Sequence, residues 1–104
     1  MPHVLDRLYQ TITARRAADP AKSYTAKLLG DGVERCAKKF GEEAFETALA
    51  AMKADRKAIA SESADLLYHL MVLWAATGVE PSEVYAALEA REGRSGLEEK
   101  AGRG

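Results

Sequence analysis

The sequence predicts an all-α protein, a small helical bundle built around a long antiparallel helical hairpin and completed by dimerisation. Three observations carry that prediction. Apolar residues recur at three- and four-residue spacing along most of the chain, no stretch alternates as a strand would, and one short polar break divides two long helical stretches. With 104 residues, 47% of them hydrophobic and 30% charged, the chain fits a single domain spanning 1–104 with a polar tail from about residue 92. A domain this short buries a modest share of its surface, so a second copy is a source of additional core.

Val4, Leu5, Leu8 and Ile12 form the apolar stripe of a first helix running from Pro2 to about Ala18 and stopping before Asp19-Pro20. Ser23 caps a short second helix through Leu29, and Gly30-Asp31-Gly32 breaks it, with Asp31 and Glu34 spaced as a capping box for the next element. That glycine pair lacks the spacing and the lysine-serine ending of a phosphate-binding loop, and no strand precedes it. From Val33 to Met52 the positions Val33, Ala37, Phe40, Ala44, Ala48 and Met52 keep the helical period. Lys53-Ala54-Asp55-Arg56 is the polar break, after which Lys57 to Thr77 forms the second arm, ended by Gly78. Val79-Glu80-Pro81 starts a last helix with Val84, Tyr85 and Leu88 as its stripe. The second arm is apolar on nearly every side from Leu66 to Ala75. One layer of helices cannot cover it, which places a homodimer interface there.

Composition excludes several function classes. The 15 basic and 16 acidic residues are mixed along the chain, leaving no broad basic footprint for nucleic acid. The N-terminus has no signal-peptide pattern, and the longest apolar run, Leu70 to Ala76, is too short to cross a bilayer, so a cytoplasmic protein is expected. The single cysteine, Cys36, sits at helical spacing and reads as an inert small hydrophobe in a reducing compartment.

The chemistry lies in two acidic patterns, Glu42-Glu43-Ala44-Phe45-Glu46 on the first arm and Glu62-Ser63-Ala64-Asp65 on the second. Three-residue spacing puts Glu43 with Glu46, and Glu62 with Asp65, on one face of each helix, where like charges repel. In a hairpin centred on Ala54, Glu46 and Glu62 each lie 8 residues from the centre and Glu43 and Asp65 each lie 11, so the pairs come level. The two levels are about 4.5 Å apart along helices that pack roughly 8–10 Å apart, close enough for the carboxylates to converge. Carboxylates beside so apolar a stretch either take raised pKa values or bind a cation. Hard oxygen ligands without a matching histidine or cysteine set favour magnesium, or manganese, over zinc, and magnesium completes its shell with water and substrate phosphate. A nucleotide or pyrophosphate substrate is therefore expected.

The stretch Lys39-Phe40-Gly41-Glu42-Glu43-Ala44-Phe45-Glu46, followed by Glu62-Ser63-Ala64-Asp65-Leu66-Leu67-Tyr68-His69-Leu70, resembles the metal motif of the all-alpha, MazG-like nucleotide pyrophosphatases. Within them the chain is most similar to the phosphoribosyl-ATP pyrophosphohydrolases of histidine biosynthesis, through Ser23-Tyr24-Thr25-Ala26-Lys27-Leu28-Leu29 and Ser95-Gly96-Leu97-Glu98-Glu99-Lys100 as well. The resemblance implies metal-dependent hydrolysis of phosphoribosyl-ATP to phosphoribosyl-AMP and pyrophosphate, with Glu43, Glu46, Glu62 and Asp65 holding the metal. Two alternatives stand beside it: a house-cleaning pyrophosphatase acting on free nucleoside triphosphates, and a non-catalytic helical dimer module.

Glu42 is the spare acid, able to ligate a second metal, accept a proton from water, or simply sit in solvent. Lys39, one turn before Glu43, either pairs with that acid or contacts a phosphate; Lys27 and Arg35 are further candidate phosphate ligands. Gly41, inside a helix at a cost of about 1 kcal/mol relative to alanine, hints at close backbone approach near the site. His69 reads as a hydrogen-bonded core residue without a catalytic role. The segment from Arg91 through Ser95 is either a cover over the ribose phosphate or a polar terminus.

Overall fold

The computed structural model describes residues 3–92. Pro2 and the tail segment from Gly93, including Arg94 and Ser95 to Lys100, lie outside the described residues. Among the described residues there are five α-helices and no strand: α1 (Val4–Ala14), continued by a 3₁₀ turn at Arg15–Ala17, α2 (Tyr24–Asp31), α3 (Val33–Met52), α4 (Arg56–Thr77) and α5 (Pro81–Arg91). No helix among them is long and apolar enough to cross a membrane.

The helix ends explain most departures from the expected bounds. His3 Nδ1 accepts from the Leu5 amide at 3.1 Å and starts α1. Ser23 caps α2 as expected, accepting from Ala26 at 3.1 Å. The break that follows is a single residue: Gly30 is helical, and Gly32 alone turns the chain with a φ of 99°. The Asp31–Glu34 capping box does not form, because Gly32 is the cap and has no side chain; Asp31 is instead the last residue of α2. Asp55 caps α4 through the Ala58 amide at 3.1 Å, and Gly78 ends it in the left-handed region. In α5, Pro81 takes the first position and the Glu83 carboxylate accepts from the Glu80 amide at 2.8 Å.

α3 and α4 form the long hairpin, turning through Ala54 at a φ of 53°. The left-handed backbone costs a non-glycine residue about 1–2 kcal/mol, a strain placed at the expected centre of the turn. One core forms where α1, α2 and the start of α3 cover the C-terminal half of α4: Tyr9, Ile12, Leu28, Cys36, Met71, Val72 and Ala75. Full burial of side chains such as Ile12, Leu28 and Val72 contributes about 1.5–3 kcal/mol each. Polar ties close the periphery. Arg16 donates to the Ala75 carbonyl at 2.6 Å, the Tyr9 hydroxyl to the Val79 carbonyl at 3.0 Å, and the Tyr85 hydroxyl to Asp6 at 3.1 Å, which holds α5 on α1.

Two expectations about packing are corrected. The chain itself covers Met71, Val72 and Ala75, because α1, α2 and the start of α3 pack over this half of α4; of the α4 run only Leu67 remains exposed. The expected stripe of α3 is inward only in part, with Phe40 and Ala44 half-buried but Val33, Ala37, Ala48 and Met52 exposed, and the true inward stripe follows another line. It runs through Cys36, Phe40, Glu43, Thr47 and Ala50, in alternating steps of four and three residues. An acid and a threonine occupy this inward seam, so a search for apolar periodicity alone misses it. The large apolar side chains left outside on α3 are Val33, Phe45, Leu49 and Met52, with Phe45 65% and Met52 84% accessible.

Candidate metal centre

Because Glu43 lies on the inward seam of α3 and Glu62 on the facing seam of α4, the hairpin brings acids of both arms together. Oxygens of Glu43, Glu62 and Asp65 lie within 4.8 Å of one another, a spacing that could hold a divalent ion. Glu43 and Glu62 are half-buried and Asp65 is the exposed corner, so the triangle opens to solvent on one side. Glu46 is outside it: exposed on α3, it faces Glu62 closely enough to raise the pKa of that acid.

The electrostatics are those of a group short of positive charge. Burial, reinforced by Glu46, Asp65 and Glu62, raises the pKa of Glu43, with Lys39 pulling the other way. Glu62 is raised for the same first reason, then by Glu46 and Asp65. The Oε2 atoms of both glutamates are buried and have no hydrogen-bond partner. Leaving such acceptors unsatisfied is unfavourable, and a hard cation between them resolves the conflict, so the donor set fits a divalent metal.

Backbone ties fix the level of the two arms. The Thr47 hydroxyl lies 2.8 Å from the Glu43 carbonyl and 3.2 Å from the Glu62 carbonyl, so its one proton is shared between α3 and α4. Thr47 opposite Glu62 puts the mirror point between Ala54 and Asp55, half a residue beyond the expected centre. A cleft of about 290 Å³ extends from Glu46 and Glu62 toward the turn, where Lys53 and Asp55 line it.

The cations are less gathered. Lys39 pairs with Glu42 at 3.0 Å, not with Glu43. This bond holds Glu42 below its ordinary value and Lys39 above, so Glu42 is not a free acid in this arrangement. Lys27 is exposed and pairs with Asp31 at 3.6 Å, and Arg35 is exposed on α3 with its charge felt by Glu42. The structure brings neither into the acid triangle. Gly41 has open space where a Cβ would stand, so no close backbone approach within the chain explains it.

His69 is buried as expected but is not hydrogen-bonded. Its Nε2 faces Glu43 Oε1 at 4.0 Å, its Nδ1 has no partner, and Tyr24 and Tyr68 meet its ring edge-on with centroids 6.1 and 5.0 Å away. Burial, then Lys39, lowers its pKa against the opposing pull of Asp65 and Glu42. The Tyr68 hydroxyl is tied to Thr25 at 2.5 Å, which locks that ring to α2. The acid spacing in the sequence marks neither Thr47 nor Tyr24 as a site residue. Thr47 was legible in principle, one turn after Glu43, whereas the approach of Tyr24 depends on how α2 folds back on α4.

Comparisons with known proteins identify the family of the chain. Residues 5–92 match the model of the family described as phosphoribosyl-ATP pyrophosphohydrolase. A protein of Parvibaculum lavamentivorans named phosphoribosyl-ATP pyrophosphatase is 61% identical over 100 residues, covering 96% of this chain and 92% of the relative. A protein of the same name from Cereibacter sphaeroides is 59% identical over 101 residues, covering 97% and 98%. One from Azospirillum brasilense is 60% identical over 97 residues, covering 93% and 87%. With a family match spanning nearly all the described residues and relatives this similar along their length, the chain belongs to the phosphoribosyl-ATP pyrophosphohydrolase family.

Proposed function

We propose that this chain hydrolyses phosphoribosyl-ATP to phosphoribosyl-AMP and pyrophosphate, the second step of histidine biosynthesis, in the cytoplasm and with magnesium, or manganese in its place. The observation that carries the metal is the pair of buried, partnerless glutamate oxygens facing Asp65. Glu43, Glu62 and Asp65 hold the ion, and Glu46, beside Glu62, is the fourth ligand. When bound, such an ion neutralises charge on the phosphate oxygens and orients or ionises a water for in-line attack.

The chain's own groups supply the rest. Asp65, at the solvent edge, is where a triphosphate meets the site. Lys39 turns from Glu42 to a phosphate oxygen, a small loss since an exposed pair is worth about 0–1 kcal/mol. Glu42, released from the lysine that depresses its pKa, regains the basicity needed to take a proton from water. Lys27 and Arg35 are exposed cations available to the outer phosphates and the ribose phosphate. A second copy of the chain packs on the exposed stripe Phe45, Leu49 and Met52, spaced as one helix face. Light scattering on Leu49→Glu tests this, with a dimer expected for the native chain and a monomer for the variant.

The deciding experiment for the reaction follows phosphorus NMR of phosphoribosyl-ATP in oxygen-18 water, with and without magnesium, alongside ordinary nucleoside triphosphates. Pyrophosphate release from phosphoribosyl-ATP only with the metal is expected. Faster turnover of the ordinary triphosphates would move the chain to a house-cleaning role. Unchanged turnover in Glu62→Gln would leave the acids a structural part alone.

A further inference from the structure

We propose that His69 is a positioning residue for Glu43: its Nε2–H holds one oxygen of that carboxylate, so that the other points at the metal. The inference rests on the metal site proposed above and deepens it. The two oxygens of Glu43 have different surroundings. Oε1 faces His69 Nε2 at 4.0 Å, whereas Oε2 is buried without a partner, and one oxygen of this carboxylate lies within 4.8 Å of oxygens of Glu62 and Asp65. A carboxylate with a donor on one side and a cation on the other is fixed in rotation, which a free glutamate in a half-open cleft is not.

His69 is built to act in this way. The ring is buried, with its side chain 7% accessible. Tyr24 from α2 and Tyr68 from the preceding position of α4 meet it nearly perpendicular, at 85° and 79°, so its plane is set by two walls. Tyr68 is in turn tied to Thr25. Held there, the ring sends Nε2 toward Glu43, and its Nδ1 has no hydrogen-bond partner. A proton on Nε2 is present both in the neutral tautomer that leaves Nδ1 bare and in the imidazolium, so the donor does not depend on the charge of the ring. The 4.0 Å separation exceeds a hydrogen bond of about 3 Å; a turn of the Glu43 carboxylate toward the ring closes it. The same turn swings Oε2 about the carboxylate axis, coupling the histidine contact to the direction of metal ligation. A histidine inert in the core would have no reason to aim a nitrogen at a ligating acid.

The test is manganese binding by calorimetry and electron paramagnetic resonance on the full chain, with thermal melting alongside. His69→Phe keeps the aromatic contacts and removes the donor; His69→Gln places an amide N–H at the reach of Nε2; His69→Asn places it at the shorter reach of Nδ1. Loss of such a supporting contact lowers metal affinity about 10- to 100-fold, expected for Phe and Asn, with Gln restoring most of it. Manganese affinity in His69→Phe equal to the native chain's, or equally weak binding by Gln and Phe, overturns the positioning role while leaving the metal site standing. If the Phe variant does not fold, the contrast between Gln and Asn decides in the same way. No manganese binding by the native chain overturns the metal site and this inference together.

Discussion

The two halves of α4 solve opposite problems. Its C-terminal half is finished by the chain itself: Met71 and Val72 are fully buried, Ala75 nearly so, and α1 and α2 supply the cover. Its N-terminal half, with Glu62 and Asp65 turned toward Glu43, holds carboxylates whose buried oxygens find no donor in the chain. One half is closed by packing, and the other calls for a cation. On the proposed metal-site reading, stability and function are separable along a single helix, and substitutions in the two halves should fail in different ways.

The sharpest separation is expected from Asp65→Asn. Removing the charge at the open corner withdraws several kcal/mol of transition-state stabilisation, so turnover should fall at least about 100-fold. Melting in chelator should stay level or rise, since Glu43 and Glu62 lose a repelling neighbour. Steady-state kinetics with calorimetric melting checks both. Near-native turnover would erase the distinction between the halves.

Met71→Ala is the converse. Emptying a fully buried methionine should cost about 2–5 kcal/mol, read from urea unfolding. Manganese affinity of the folded fraction should not change, because Met71 belongs to the apolar cluster of Tyr9, Ile12, Leu28 and Cys36, which contains none of the acids. A weakened metal site would show that the two halves share one strained framework.

Much of the acidic half was legible in the sequence. Four acids at three-residue spacing on either side of a short break fix their level by arithmetic, and the turn through Ala54 falls where that arithmetic puts it. Helix ends marked by Ser23 and Gly78 were legible because each has one local physical cause. What escaped depends on rotation and on side-chain choice. The inward seam of α3 carries Glu43 and Thr47 where apolar residues were sought, so the hydrophobic pattern pointed to Val33, Ala48 and Met52, which are exposed. Lys39 has two acids within reach, Glu42 at three residues and Glu43 at four, and spacing alone does not choose between them. The approach of His69 to Glu43 depends on ring planes set by Tyr24 and Tyr68, and one of these comes from another helix.

Proton linkage gives the next contrast. Both Glu43 and Glu62 have folded pKa values raised above their ordinary 4.5, so between that value and the raised ones the folded state holds more protons than the unfolded chain. The contribution of these two acids to stability in chelator should then be greatest below this window and fall as pH rises through it, the reverse of a paired carboxylate such as Glu42. Saturating magnesium should oppose the fall, since the ion competes with protons for the same oxygens. Melting temperature against pH, with chelator and with magnesium, reads the two slopes. Parallel curves would detach the raised acids from metal binding.

The smallest effect belongs to Gly41, exposed in the middle of α3 two residues before Glu43. A glycine there gives up backbone freedom on folding, and a Cβ would meet nothing in the chain, so Gly41→Ala should stabilise by about 0.5–1 kcal/mol. If the position belongs only to the scaffold, KM for the triphosphate stays unchanged, and this is the expected result. A raised KM at constant kcat would mean that substrate fills the space beside the helix. The glycine would then trade stability for room beside the acid triangle, adding a position two residues before Glu43 to the substrate-facing part of α3.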